Sequence, residues 1–67
     1  MDYLIDPNTN IVKSLLEWRT EWQEQLNMYS MRERRQFAQF ENWAEGLIYV
    51  KWDSDSQDWL LEGSAGK

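Results

Sequence analysis

The sequence predicts a mixed α+β fold: a short extended N-terminal arm, an antiparallel helical hairpin, then a C-terminal β-hairpin. Three observations carry this. Between Ser14 and Tyr29, Leu15, Trp18, Trp22, Leu26 and Tyr29 recur on one narrow face at a 3.6-residue period, while Glu17, Glu21, Gln23, Glu24 and Asn27 fall elsewhere. A second helix-start signal, Ser30 with Glu33, follows at once, and helices joined by so short a connection turn back antiparallel. After Gly46 the run Leu47-Ile48-Tyr49-Val50-Lys51-Trp52 is dominated by β-branched and aromatic residues, which suit a pleated, half-buried strand.

Taken in order, residues 1–10 form the arm and its turn. Tyr3-Leu4-Ile5 is a short apolar run closed by Asp6-Pro7-Asn8-Thr9-Asn10, a cluster of turn formers, and the expectation is a short strand or extended arm turning back over the first helix. An alternative start has Asp6 capping a helix with Pro7 in its first turn. Helix one is assigned to 11–29, with Ile11 extending the apolar seam backwards. Asn10 and Ser14 compete as its cap, and Ser14 with Glu17 makes a capping box.

Helix two is assigned to 31–45. Phe37, Phe40 and Ala44 share its inner face, with Ala44 the small residue set against the large tryptophans. The β-hairpin spans 47–62. A four-residue loop at Ser54–Gln57 sets Trp52 opposite Trp59, Val50 opposite Leu61 and Ile48 opposite Gly63 on one side; Lys51, Tyr49, Leu60 and Glu62 lie on the other. Residues 63–67 have the composition of a loose tail. The competing architecture is an all-α three-helix domain in which 56–62 is helical.

A chain of 67 residues holds at most one domain and hides only about 60% of its unfolded surface. Such chains usually add disulfides, a metal or a partner, and with no cysteine and no histidine the first two are closed as S–S or N/S zinc chemistry. Yet the sequence holds five tryptophans, three tyrosines and two phenylalanines. Each buries roughly 150–250 Å² when enclosed, more than so thin a body readily shelters. The composition is too apolar for disorder.

Twelve acidic against seven basic residues give a formal charge of −5, which argues against counterion-releasing contact with nucleic acid or an anionic membrane. The sequence has no apolar run of membrane-spanning length, and MDYLID lacks the basic start and apolar core of a signal peptide, so the expected location is cytoplasmic.

Catalytic chemistry has little to hold. Without histidine or cysteine the commonest bases and nucleophiles are missing, and no Gly-rich phosphate cradle or nucleophile elbow is present; the expectation is a non-enzyme without cofactor, metal or small-molecule substrate. Asp53, Asp55 and Asp58 resemble the opening of a calcium loop, but Asp58 stands where such a loop needs glycine and Ser64 where it needs a bidentate Glu. A polar hairpin loop accounts for them better.

The expected function is a small protein-binding regulatory module: an adaptor, an inhibitor such as an antitoxin-like neutraliser, or an accessory subunit that docks an aromatic surface onto a larger protein. Trp22, Trp43, Tyr49, Trp52 and Trp59 are the candidate apolar anchors, and Arg34 and Arg35 the candidate rim contacts, since Trp, Tyr and Arg dominate interface energetics. Trp43 is singled out because it lies about 120° around helix two from Phe37. Its ordinary alternative is to cover the neighbouring hairpin. Arg32, Arg34 and Arg35 open helix two where the dipole disfavours them, and pairing with Glu24, as Glu41 and Glu45 pair with Lys13 and Arg19, would explain the arrangement. Two further classes compete: a homodimer burying the surplus aromatic surface, and a nucleic-acid-related protein that binds single strands or imitates DNA.

Overall fold

The computed structural model describes residues 2–65. The chain runs β1 (Tyr3–Asp6), β2 (Ile11–Ser14), α1 (Leu15–Leu26), α2 (Met31–Gln36), α3 (Phe40–Trp43), β3 (Ile48–Asp53) and β4 (Asp58–Ser64). The four strands form one antiparallel sheet in the order β2-β1-β3-β4. This is the α+β class the sequence predicts, and the three-helix alternative is not supported.

The N-terminal segment departs most from expectation. Tyr3 to Asp6 is extended, as expected, but instead of lying over the first helix it is an inner strand of the sheet, paired on one side with Ile11–Ser14 and on the other with Ile48–Val50. Residues 11–14, assigned above to helix one, are its hairpin partner. The turn formers at 7–10 make the hairpin loop. The Asp6 carboxylate accepts from the Asn8 N–H at 3.0 Å, the Asp6 carbonyl accepts from Asn10 N–H at 2.7 Å, and Asn10 takes the left-handed conformation (φ 60°) that Asn tolerates. β-branched Ile11 and Val12 then continue as strand.

Helix α1 therefore starts one step after Ser14. Ser14 Oγ accepts from Glu17 N–H at 3.2 Å, and the Glu17 carboxylate accepts from Ser14 N–H at 3.3 Å, the reciprocal capping box. The helix stops at Leu26, three residues short of the expected end. Its last carbonyls are taken over by Arg34, whose Nε donates to Leu26 O at 2.8 Å and Nη2 to Asn27 O at 3.4 Å.

The returning leg runs antiparallel to α1: Phe37 lies beside Tyr29, Phe40 beside Trp22 and Trp43 beside Trp18. It is not the single helix expected at 31–45. Ser30 caps α2 through Glu33 N–H at 3.3 Å, as the sequence indicates, but Gln39 is extended (φ −107°, ψ 139°) and restarts the chain as α3. The break frees the Phe37 carbonyl from helical bonding, and the Trp22 indole N–H donates to it at 2.8 Å. It also resets the helical phase, so Phe40 and Trp43 both turn toward α1.

The core lies between the helices and one face of the sheet. Leu4, Trp18, Trp22, Phe40, Ala44 and Leu47 are its buried members, and Leu4 and Ala44 are fully enclosed. Ala44 supplies the small partner that the neighbouring indoles require. The Trp18 indole N–H donates to Leu4 O at 2.9 Å and ties α1 to the inner strand β1.

In the C-terminal hairpin, Trp52 faces Trp59 and Val50 faces Leu61, and the loop is the expected Ser54–Gln57. Between Tyr49 and Val50 the register shifts, leaving Glu62 as an extra residue, so Ile48 faces Ser64 rather than Gly63. The strand consequently runs on into the stretch assigned to a tail, and Ala65 N–H donates to Leu47 O at 3.0 Å against the core. Gly66 and Lys67, the rest of that stretch, lie outside the described residues. The molecule measures 46 × 20 × 20 Å. Among the described residues no helix is long and apolar enough to cross a membrane.

Candidate protein-docking face

Side chains alternate across a strand, so the pairing assigns every sheet residue to a face. Leu4 pairs with Tyr49, and both pack into the core, so theirs is the face the helices cover. Tyr3, Val50, Trp52, Trp59 and Leu61 belong to the opposite face. An antiparallel sheet with one packed face ordinarily presents polar side chains on the other. This sheet presents aromatic and aliphatic ones.

These residues make a second, smaller cluster. The Trp52 and Trp59 rings meet edge to face at 5.2 Å, and Tyr3 lies 5.3 Å from Trp59 on its other side. Val50, 3% exposed, is roofed by this cluster and does not belong to the helix-side core. The cluster itself is open: Trp52 keeps 50% of its surface in water and Leu61 67%. A groove of about 350 Å³ runs beside it, lined by Asp2, Tyr3, Val50, Trp52, Trp59 and Glu62 among others.

The electrostatics are one-sided. Asp53, Asp55, Asp58 and Glu62 lie on this hairpin against the single Lys51. Asp53 is held below the usual carboxylate range, first by the hydroxyl of Ser56, which donates to it at 2.8 Å, and further by the Asp55 and Ser56 backbone amides and Lys51.

The other predicted site residues fall elsewhere. Trp22, at 8% exposure, is enclosed in the core with its N–H committed to Phe37, and so presents no docking surface. Trp43 is half-buried between Trp18 and Phe40, and its indole donates to Gln25 Oε1 at 3.2 Å; it covers α1 rather than standing free. Tyr49 is the exception: half-buried and packed on the core side, it also lines the groove beside Trp52 and Trp59. Arg34 is spent on the end of α1, while Arg35 is exposed on α2, an element outside the sheet that carries Trp52 and Trp59. The expected cross-helix pairing does not form. The ion pair among the described residues is Lys13 with Glu21 at 3.1 Å, and Arg19 lies over the Phe40 ring instead.

Three members of the face, Tyr3, Val50 and Leu61, escaped the site assignment. Leu61 was legible as Val50's partner, whereas Tyr3 joins only through the pairing of β1 with β3. Among the described residues no group of three acidic side chains is placed to hold a metal ion. No protein-family model matches the chain, and no curated protein or solved structure resembles it at a significant level.

Proposed function

We propose that this chain is a small, non-enzymatic protein-binding module, an adaptor, inhibitor or accessory subunit, that docks the helix-free face of its sheet onto a larger protein. The observation that carries this is the edge-to-face Trp52–Trp59 pair, its Trp52 half open to water beside the exposed Leu61, on a face where a solitary sheet places polar groups. Apolar area left in water at this density is what an interface core requires, and Trp and Tyr are its usual anchors. The anchor set is thus Tyr3, Trp52, Trp59 and Leu61. Four carboxylates on the same hairpin weigh against a phosphate-bearing partner. The absence of cysteine from the sequence accords with a cytoplasmic setting.

A photo-crosslinking residue at position 61, with position 20 on the exposed side of α1 as control, tests the proposal in cells producing the chain. The expected result is a discrete heteromeric adduct from position 61 that Trp52→Ala abolishes. Equal adducts from both positions, or none from 61, overturn it. The homodimer stands second, favoured by the seven-residue edge strand β4; adducts of the chain with itself alone, together with a dimer in sedimentation, would establish it instead.

A further inference from the structure

Among the described residues strand β4 closes the sheet order and leaves one edge without a strand, and every residue along it except the half-buried Trp59 is exposed. A seven-residue open edge is a template for strand addition. The side chains flanking that edge are sorted by face. Trp59 and Leu61 project on the apolar, helix-free side; Asp58 and Leu60 project on the other, and Glu62 stands out at the bulge.

Resting on the docking role proposed above, we propose that the occupant is an extended segment of another protein that alternates apolar residues with lysine or arginine. It adds to β4, laying its apolar side chains beside Trp59 and Leu61 and setting its cations toward Asp58 and Glu62. Charge decides between this occupant and a second copy of the chain. Two β4 strands paired antiparallel about Leu60 would bring Asp58 of each near Glu62 of the other, and facing like charges destabilise a strand pair. A basic segment turns the same contacts into attractions.

The probes are end-blocked heptapeptides alternating valine with lysine, and valine with glutamate, titrated into the full chain with tryptophan fluorescence and backbone amide shifts as readouts. The lysine peptide is expected to bind roughly tenfold more tightly than the glutamate peptide, as two charge pairs gained against two repulsions imply. The preference should collapse in 1 M salt, where the screening length is about 3 Å, and the shifts should concentrate on 58–64. Glu62→Lys, at an exposed bulge, should reduce the preference, and Leu61→Ser should weaken both peptides.

Equal affinity for the two peptides overturns the charge selection while the docking face stands. Binding of neither, with position 61 still crosslinking to another protein, overturns strand addition alone. Binding of neither with no such crosslink overturns the docking role as well. A dimer whose interface maps to β4 replaces the basic segment with a second copy.

Discussion

The indole N–H of Trp18 reaches across from α1 to the main-chain oxygen of Leu4, 2.9 Å away, at the one point where helix, inner strand and core coincide. Trp18 is 14 residues downstream of Leu4, so this bond exists only once β1 has entered the sheet. Trp18→Phe keeps a ring in the core but strips a buried carbonyl of a donor. The expected cost is about 1–3 kcal/mol, read as a lower denaturation midpoint at unchanged slope. Trp18→Ala adds a cavity and is expected to cost about 3–5 kcal/mol, enough to unfold a domain of this size. A Phe variant as stable as the parent would show the bond to be dispensable.

Trp22 makes the equivalent bond to Phe37 O at 2.8 Å, and here the carbonyl is available because the returning leg is broken. Trp22→Phe leaves the freed Phe37 carbonyl without its indole donor. It should destabilise by a similar ~1–3 kcal/mol, and exchange of the amides at 38–41 should speed up more than that of α1.

The two hairpin loops are built alike, and the second is the less well served by its sequence. Asp6 and Asp53 each accept from the amide two residues on, and each loop ends in a left-handed residue, Asn10 at φ 60° and Gln57 at φ 54°. Asn tolerates that conformation; Gln carries the full Cβ penalty of about 1–2 kcal/mol, against about 0.5–1 kcal/mol of entropy for glycine. Gln57→Gly should therefore stabilise by up to about 1 kcal/mol and raise Tm by about 4–8 °C. Asn10→Gly should do less. A lower Tm for Gln57→Gly would contradict the strain.

How far the sequence discloses this fold follows from the range of each interaction. Local signals survive intact: the Ser14–Glu17 box, the Ser30 cap, the four-residue loop at 54–57 and the Trp52–Trp59 pairing involve neighbours or a single hairpin. Ile11 was misassigned because its spacing from Leu15 continues a helical seam, while what makes it a strand is pairing with Asp6 across a loop that reads equally well as a helix start. Trp43 looked misplaced because one helical phase was carried from Phe37 through the extended Gln39. The docking face was half legible. Trp52 and Trp59 could be set side by side from hairpin register, but which side of the ribbon the helices cover depends on Leu4 and Tyr49 meeting in a pairing about 45 residues apart in sequence, beyond the reach of periodicity.

Asp53 gives the hairpin a pH signature. Its carboxyl sits below the ordinary 3.8 because the Ser56 hydroxyl and the loop amides favour the anion. A depressed folded-state pKa contributes stability that is present above the unfolded value and disappears as pH falls through the folded one. The window therefore lies in acid, below 3.8, and neutral pH leaves it untouched. Ser56→Ala removes the leading cause. Side-chain carboxyl NMR titration should show Asp53 moving back up toward 3.8, with the loop loosening at a higher pH than in the parent. An unmoved titration would assign the shift to the backbone amides.

The docking face can be separated from the fold because its exposed members sit outside the helix-side core. Trp52→Ala breaks an edge-to-face pair worth about 0.5–1.5 kcal/mol, and Leu61→Ser removes a side chain already two-thirds in water. Both variants should melt cooperatively within about 1.5 kcal/mol of the parent; Trp52→Ala should nevertheless lose the partner adduct at position 61, and both should lose the peptide titration signal. Val50→Ala is the contrasting case: equally near the face but buried at 3% exposure, it should cost stability of about 1–2 kcal/mol through lost burial and loosen the Trp59 ring above it. Association that survives Trp52→Ala and Leu61→Ser but fails in Val50→Ala would mean that sheet integrity, and not the open indole surface, is what a partner detects.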